Sequence, residues 1–218
     1  MPRGPSSAHS LQRETILNIS ADTFAEAGYP SATMAALAAR CGVSKSLLYH
    51  YYPAKDAILF DLMHEYMTRL QLLVHEVARL ELPAQDGLAE LVRRFVREYE
   101  TSRSRHIVLL NDVKFLPPAE RERVIALERS VVQAFADVIA ATYKVDGARA
   151  KVLTMSVFGM INWTFTWLKP DGPLSYAQFA ESVVGMLERG LAGGAERIGR
   201  IGALNADDNN QLATVEKI

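Results

Sequence analysis

The residues with the most distinctive chemistry lie in one short stretch, from Lys45 to Tyr51. It reads Lys-Ser-Leu-Leu-Tyr-His-Tyr, which combines a cation, hydroxyl groups, an imidazole and apolar carbon. Lysine and hydroxyl groups bind phosphate oxygens or guanine edges, and apolar carbon contacts thymine methyl groups. Residues 31–55 contain three Lys or Arg residues and no Asp or Glu. The stretch therefore suits a nucleic-acid duplex, although the formal net charge of the whole chain is −1.

The same stretch has a plainer interpretation. Residues 49–51 could pack as an aromatic cluster, and Lys45 and Lys55 could be ordinary solvated lysines. We favour the DNA-binding interpretation because a solvated helix face rarely displays Leu47 together with several aromatic rings and no acid.

Two short helices joined by a glycine-containing turn must position this stretch. Thr33 and Ser44 are the predicted N-caps of the two helices, because Ser and Thr hydroxyls accept the first N–H groups of a helix. Gly42 lies in the turn, where it can adopt the left-handed conformation. The spacing predicts a helix-turn-helix over residues 33–55. The residues expected to pack its helices on each other and on the preceding helix are Leu37, Ala38, Val43, Leu48 and Tyr52.

The rest of the chain predicts helices and no sheet. Apolar residues recur at three- and four-residue spacing, and no run alternates with period two. The predicted fold class is therefore all-α, with about nine helices. Outside the helix-turn-helix, the predicted helices are 10–27, 55–80, 86–102, 105–114, 118–143, 147–167 and 175–192.

Composition limits the class of protein. The single cysteine, Cys41, excludes an internal disulfide framework and fits a reducing compartment. The longest apolar stretch, residues 155–168, contains Ser, Asn and Thr and is shorter than the roughly 20 residues that a membrane span requires. The first ten residues lack the apolar run of a signal peptide. We therefore expect a cytoplasmic protein.

Signals for catalysis are weak. His64-Glu65 and His75-Glu76 each begin a pattern seen in zinc proteases, but the residue four positions after each histidine is not a second histidine. No phosphate-binding glycine loop follows a strand. We expect no metal, no cofactor and no enzyme activity; an all-helical enzyme or scaffold is the alternative from another class.

Residues 33–55 closely resemble the N-terminal signature of the TetR family of transcriptional regulators. That signature is a Thr-led helix, an Ala-x-x-x-Gly-Val-Ser turn and a Leu-Tyr-x-x-Phe-x-x-Lys segment. Here Thr33 is followed by the turn at residues 38–44 and by residues 48–55, with Tyr52 where the family prefers Phe. The resemblance implies a dimeric repressor that binds palindromic operator DNA and is released by a small effector.

The resemblance also implies roles on the DNA-binding face. Tyr49 and Lys55 would contact phosphates, and Thr33 would cap its helix and touch the DNA backbone. The residues that would face bases are Lys45, Ser46, Leu47 and Tyr51, and His50 completes the predicted DNA-binding set.

The last two predicted helices indicate a dimer, because the family pairs these helices from two copies in a four-helix bundle. The segment 155–167 is apolar nearly all round, so its helix must be buried on more than one side. Two internal core helices of a monomer are the alternative. The predicted dimerisation residues are Met155, Gly159, Phe179, Val183, Met186 and Leu187.

The C-terminal half resembles a TetR branch that responds to acyl-CoA thioesters, through residues 110–112, 116–118, 162–167 and 170–175. An acyl or aryl tail needs an apolar cavity, and CoA phosphates need cations. A hydrophobic, drug-like effector that controls efflux is the alternative within the family. The predicted ligand-binding residues are Tyr66, Leu70, Phe95, Tyr99, Arg103, His106, Leu110, Phe115, Phe158 and Trp163.

These assignments divide the chain into four segments. Residues 1–9 are expected to be a disordered N-terminus, and residues 10–55 the three-helix DNA-binding domain. Residues 56–192 are expected to form the larger ligand-binding and dimerisation domain. The polar residues 193–218 are expected to be a flexible C-terminal tail.

Overall fold

A computed structural model describes residues 7–191, and within them the chain is helical with no strand, as the sequence predicts. No helix in this range has the length and apolarity needed to cross a bilayer. Short 3-10 segments follow α1 and α6, and a π-helical turn follows α10. The helices are α1 (Ser7–Ala27), α2 (Met34–Arg40), α3 (Lys45–Tyr51), α4 (Lys55–Ala78), α5 (Ala84–Thr101), α6 (Arg103–Asp112), α7 (Pro118–Tyr143), α8 (Gly147–Asn162), the single turn α9 (Thr164–Trp167) and α10 (Tyr176–Met186).

Packing divides the described residues into two compact units. The first unit contains residues 7–73 and 98–131, and the second contains residues 74–97 and 132–191. Helices α4, α5 and α7 therefore supply residues to both units. The predicted boundary at residues 55 and 56 follows the sequence motif and not this division by packing. The predicted C-terminal tail lies outside the described residues, as does most of the predicted disordered N-terminus, although α1 already begins at Ser7.

The predicted helix boundaries are most accurate where proline marks them. Helix α7 begins at Pro118 and ends at Tyr143 as expected, because proline is compatible with the first turn of a helix. The predicted helix 147–167 is instead interrupted at Trp163, because α8 ends at Asn162 and α9 begins at Thr164. The Thr164 hydroxyl donates to the Ile161 carbonyl at 2.9 Å, so a side chain occupies an acceptor of the helix at this break.

The core of the first unit holds the helix-turn-helix in place. Leu37 and Ala38 of α2, and Leu48 and Tyr52 at α3, are buried as predicted, whereas Val43 in the turn is half-buried. Helices α1 and α4 supply the rest of this core, through the fully buried side chains Ile16, Leu17, Phe24, Ile58, Leu59 and Leu62.

Three phenylalanines mark the core of the second unit. The rings of Phe95 and Phe135 meet edge to face with centroids 4.8 Å apart, and the Phe158 ring lies 4.8 Å from that of Phe135. All three side chains are buried. Aromatic pairs in this geometry stabilise a core beyond the area that they bury.

Candidate nucleic-acid interface

The turn between α2 and α3 has the geometry that the sequence predicts. The Thr33 hydroxyl accepts a hydrogen bond from the Ala36 N–H at 3.1 Å, and the Ser44 hydroxyl accepts one from the Leu47 N–H at 3.1 Å. Gly42 lies in the left-handed region with φ 66°. Both predicted N-caps and the glycine turn are therefore confirmed, and α2 and α3 form a helix-turn-helix.

Helix α3 presents a continuous exposed face. Tyr49 is 51% exposed, and Leu47 is also exposed although it is apolar. Leu48, between them in sequence, is fully buried. Helix α3 is N-capped and packs on the core through Leu48. Its exposed side chains are of the types that contact base edges in a major groove. The members of the predicted set that lie exposed on α3 are Lys45, Ser46, Leu47, Tyr49 and His50.

Tyr51 differs from these residues because it is half-buried. Its ring stacks on the imidazole of His9, in the first turns of α1, with centroids 4.6 Å apart and planes 29° apart. The His50 ring meets it edge to face at 5.8 Å. Helix α3 is thus supported at its C-terminal end by α1, a contact that the sequence did not predict.

Lys55 lies against the turn that follows α1. Its Nζ donates to the carbonyl oxygens of Tyr29 and Ala32, both at 2.7 Å, and stands 4.2 Å from the centroid of the Tyr29 ring. Burial lowers the pKa of Lys55. These contacts engage at least two of the three N–H donors of the ammonium group. Lys55 therefore ties the start of α4 to the turn after α1, and its contact with a DNA phosphate stays a prediction.

Tyr29 is also held by the end of α6. The Phe115 ring stacks on the Tyr29 ring with centroids 5.4 Å apart, and the Asp112 carboxyl group interacts with the backbone N–H of Tyr29. Asp112 is only 7% exposed, and burial raises its pKa. The sequence did not predict this contact, because it joins distant parts of the chain and leaves no local pattern.

Three predicted ligand-binding residues form a buried cluster in the first unit. The Tyr66 hydroxyl lies 3.3 Å from Nδ1 of His106, and the Tyr99 ring stacks on the imidazole with centroids 3.9 Å apart. All three side chains are buried, and burial raises the pKa of both tyrosines. Leu70 of α4 is buried as well. Their role in ligand binding stays a prediction.

A polar cavity of about 440 Å³ lies beside this cluster. Tyr66 belongs to the cluster and also lines the cavity. Its arginines are paired with acids. Arg13 donates to Asp61 at 2.6 Å and also to Glu65, and Arg105 lies 3.6 Å from the Glu65 carboxylate and donates to the Asn18 side-chain oxygen at 2.8 Å. The cavity wall is therefore an ion-paired network that joins α1 to α4 and α6.

The remaining predicted ligand-binding residues do not join this cluster. Phe95 and Phe158 belong to the core of the second unit. The exposed ones are Arg103, Leu110, Phe115 and Trp163.

Two arginines of α5, whose charge could attract CoA phosphates, contact acids in the protomer. Both nitrogens of the Arg93 fork donate to Glu181, at 2.6 and 2.9 Å, and Arg94 donates to Glu90 at 2.7 Å. No cluster of three His, Cys, Asp or Glu side chains within residues 7–191 is arranged to hold a metal ion.

The predicted dimerisation residues fall into two groups. Phe179, Val183 and Leu187 are buried inside the protomer, in the core of the second unit. A partner could reach them only if that core opened. The members of the set that are exposed on the protomer are Met155, Gly159 and Met186.

Known protein families match both parts of the chain. The profile described as bacterial regulatory proteins, tetR family, matches residues 16–62. The profile described as tetracyclin repressor-like, C-terminal domain, matches residues 81–191, which is about half of the chain. The first match covers the helix-turn-helix, and the second begins just before α5.

Individual proteins agree with this family. The transcriptional repressor KstR2 of Rhodococcus jostii (strain RHA1) is 23% identical over 196 residues, which cover 88% of this chain and 96% of KstR2. The crystal structure of a TetR-family regulator from Bordetella parapertussis 12822 has 34% sequence identity and a TM-score of 0.78, and the match covers 82% of this chain and 94% of that one. The crystal structure of AibR in complex with isovaleryl coenzyme A and operator DNA has 25% identity and a TM-score of 0.70, with 80% and 97% covered.

These relatives regulate transcription and are not enzymes, so the alternative of a helical enzyme is set aside. The capped helix-turn-helix, the all-helical fold and the two family matches agree with one another. The chain belongs to the TetR family and is a helix-turn-helix transcriptional regulator of that repressor family.

Proposed function

We propose that this protein is a homodimeric repressor that binds a palindromic operator through α2 and α3 and is released when a small effector binds. The observation that carries the DNA-binding part is the exposed, acid-free face of α3, with Lys45, Leu47 and Tyr49, in a pair of helices that are both N-capped. Such a face offers phosphate and base-edge contacts together. The proposal implies a cytoplasmic location, because chromosomal DNA is the partner.

The dimer is supported by an exposed apolar stripe along α8 and the residue that follows it. Val152, Met155, Gly159 and Trp163 follow one another at helical spacing and are all exposed in the protomer. A Cβ atom at Gly159 would meet no atom within 4 Å, so the protomer itself does not require a glycine there. Close approach of a partner helix would require one. A dimer also suits the two half-sites of a palindrome, about one DNA turn (~34 Å) apart.

The effector is proposed to be an acyl-CoA thioester. AibR, which shares the fold and 25% identity, has been crystallised with isovaleryl coenzyme A and operator DNA. The mechanism would be a population shift, in which the thioester binds better to a conformation that does not fit the operator. The paired state of Arg93 and Arg94 means that CoA phosphates would have to compete with Glu181 and Glu90.

DNA binding is tested by selecting duplexes from a random-sequence library with the full-length protein and measuring affinity for one selected duplex by fluorescence anisotropy. We expect a palindromic consensus, and affinity that falls steeply with salt because condensed counterions are released. Tyr49→Ala should weaken binding without changing the circular dichroism spectrum. Failure to enrich any sequence, or full affinity in folded Tyr49→Ala, would overturn the DNA-binding assignment.

The effector is tested by thermal shift with isovaleryl-CoA, long-chain and aromatic acyl-CoAs, CoA alone and hydrophobic drug-like compounds. A ligand that binds the folded state raises the melting temperature by mass action. We expect at least one acyl-CoA to raise it, and to release the selected duplex at the same concentration. A shift produced only by the drug-like compounds would favour a regulator of efflux. The absence of a shift with any acyl-CoA would refute the proposal that the effector is an acyl-CoA.

A further inference from the structure

Tyr51 is the residue of the predicted DNA-binding face whose aromatic ring is fixed by α1. The imidazole of His9 covers one face of the ring at 4.6 Å, and the His50 ring meets its edge at 5.8 Å. Within the described residues, Tyr49 has no such ring contact and is 51% exposed. The two tyrosines of α3 therefore differ in how firmly they are held before DNA arrives.

This difference affects recognition. A side chain that must be ordered on binding weakens the complex, and one ordered in advance avoids that cost. An interplanar angle of 29° between His9 and Tyr51 is an offset stack, a favoured arrangement of two aromatic rings. The partner ring comes from α1, which packs against α2 and α6, so it is anchored outside the helix that it braces.

We propose that His9 is a positioning residue for sequence recognition, which holds the Tyr51 ring in the orientation that contacts base edges. His9 acts through Tyr51 and makes no base contact of its own. This inference rests on the proposed function, because it assumes that α3 binds operator DNA. It assigns to the first turns of α1 a part in specificity that neither the helix-turn-helix signature nor the exposed face of α3 indicates.

The test uses the full-length protein and a duplex selected with the wild type from a random library. Affinity is measured for that duplex and for a series in which each base pair is replaced in turn. We expect His9→Ala to bind about two- to tenfold more weakly, as loss of a pre-ordered side chain implies. We also expect it to lose discrimination at the base pairs where Tyr51→Ala loses it, and at no others.

His9→Phe is the matched control, because it keeps an aromatic ring for the stack and removes both ring nitrogens. We expect it to restore affinity and discrimination. In the Tyr51→Ala background, His9→Ala should have no further effect. Circular dichroism and the melting temperature confirm that each variant is folded.

Three results would overturn the inference. They are a His9→Ala variant that binds like the wild type, a His9→Phe variant as weak as His9→Ala, and effects of His9→Ala and Tyr51→Ala that add. The second and third would mean that His9 contacts DNA through its own nitrogens or acts independently of Tyr51. A wild-type protein that selects no sequence would instead refute the proposed function, so the two failures are distinguishable.

Discussion

The ring of Phe115, just after α6, stacks on the ring of Tyr29, in the turn after α1, with centroids 5.4 Å apart and planes 27° apart. The Asp112 carboxyl group interacts with the backbone N–H of the same tyrosine, and Lys55 donates to its carbonyl oxygen. The segment that leads into the helix-turn-helix is thus fixed by groups from α4 and α6. A displacement of either helix would act directly on the turn that precedes α2.

Removal of the Phe115 ring should loosen this segment. We expect Phe115→Ala to speed amide hydrogen exchange in peptides that cover residues 29–40, because the stack on Tyr29 is lost and local opening becomes easier. Leu110→Ala is the control, since Leu110 also lies near the end of α6 and is 38% exposed against 39% for Phe115. Equal exchange in the two variants would show that the stack does not fix the turn.

The buried carboxyl group of Asp112 predicts how stability depends on pH. Burial raises its pKa above the value in the unfolded chain, so its contribution to stability is present at low pH and is lost as the pH rises through the folded pKa. Asp112→Asn removes the buried charge and keeps an acceptor for the Tyr29 N–H. We expect the variant to be more stable than the wild type at pH 7, with the difference vanishing below about pH 4.

Urea unfolding at the two pH values measures this difference, and Asp171→Asn, at an exposed site, is the control. A lower free energy of unfolding for Asp112→Asn at pH 7 would mean that the charged form is needed to hold the Tyr29 turn.

Substitutions at two lysines should distinguish an effect on stability from an effect on DNA binding. Lys55→Met keeps an unbranched apolar side chain but leaves the Tyr29 and Ala32 carbonyls without the ammonium, and we expect a loss of about 1–3 kcal/mol in the free energy of unfolding. Lys45→Met alters an exposed residue, so we expect stability within about 0.5 kcal/mol of the wild type.

For Lys45→Met, affinity for the selected duplex should nevertheless fall. Denaturant unfolding and anisotropy measure the two quantities. The interpretation of Lys55 fails if Lys55→Met is as stable as the wild type.

The stripe on α8 predicts how the dimer can be broken. Met155→Glu places a charge at the centre of that stripe, where burial against a partner would leave the carboxylate unpaired. We expect this variant to be a folded monomer by light scattering at micromolar concentration. Leu72→Glu is the matched control, because Leu72 is 49% exposed against 54% for Met155 and lies on α4. A Met155→Glu variant with the mass of the wild-type dimer would place the interface elsewhere.

Local chemistry made the helix-turn-helix predictable. Thr33, Gly42 and Ser44 act within a few residues of themselves, as caps and as a left-handed turn, so their roles follow from spacing alone. Helix α7 was predictable for the same reason, since Pro118 marks its first residue. The interruption at Trp163 was missed because the apolar pattern continues through it.

The candidate effector site was less predictable. Aromatic and apolar residues at helical spacing suit a cavity or a core equally well, and periodicity does not distinguish the two. In the structure Tyr66, Tyr99 and His106 form a buried cluster, whereas Phe95 and Phe158 pack in the core of the other unit. The predicted dimerisation residues include both buried and exposed side chains for a similar reason. An apolar pattern on a helix does not indicate which side packs inside the protomer and which side faces a partner.

The all-helical class, the capped turn and the family could be predicted from the sequence, because each depends on short-range spacing or on residue types at fixed positions. The contacts of Tyr29 with Asp112, Phe115 and Lys55, and of Tyr51 with His9, depend on the tertiary fold. These contacts join residues far apart in the chain. They arise from how the helices pack, and no local pattern of residue types encodes that packing.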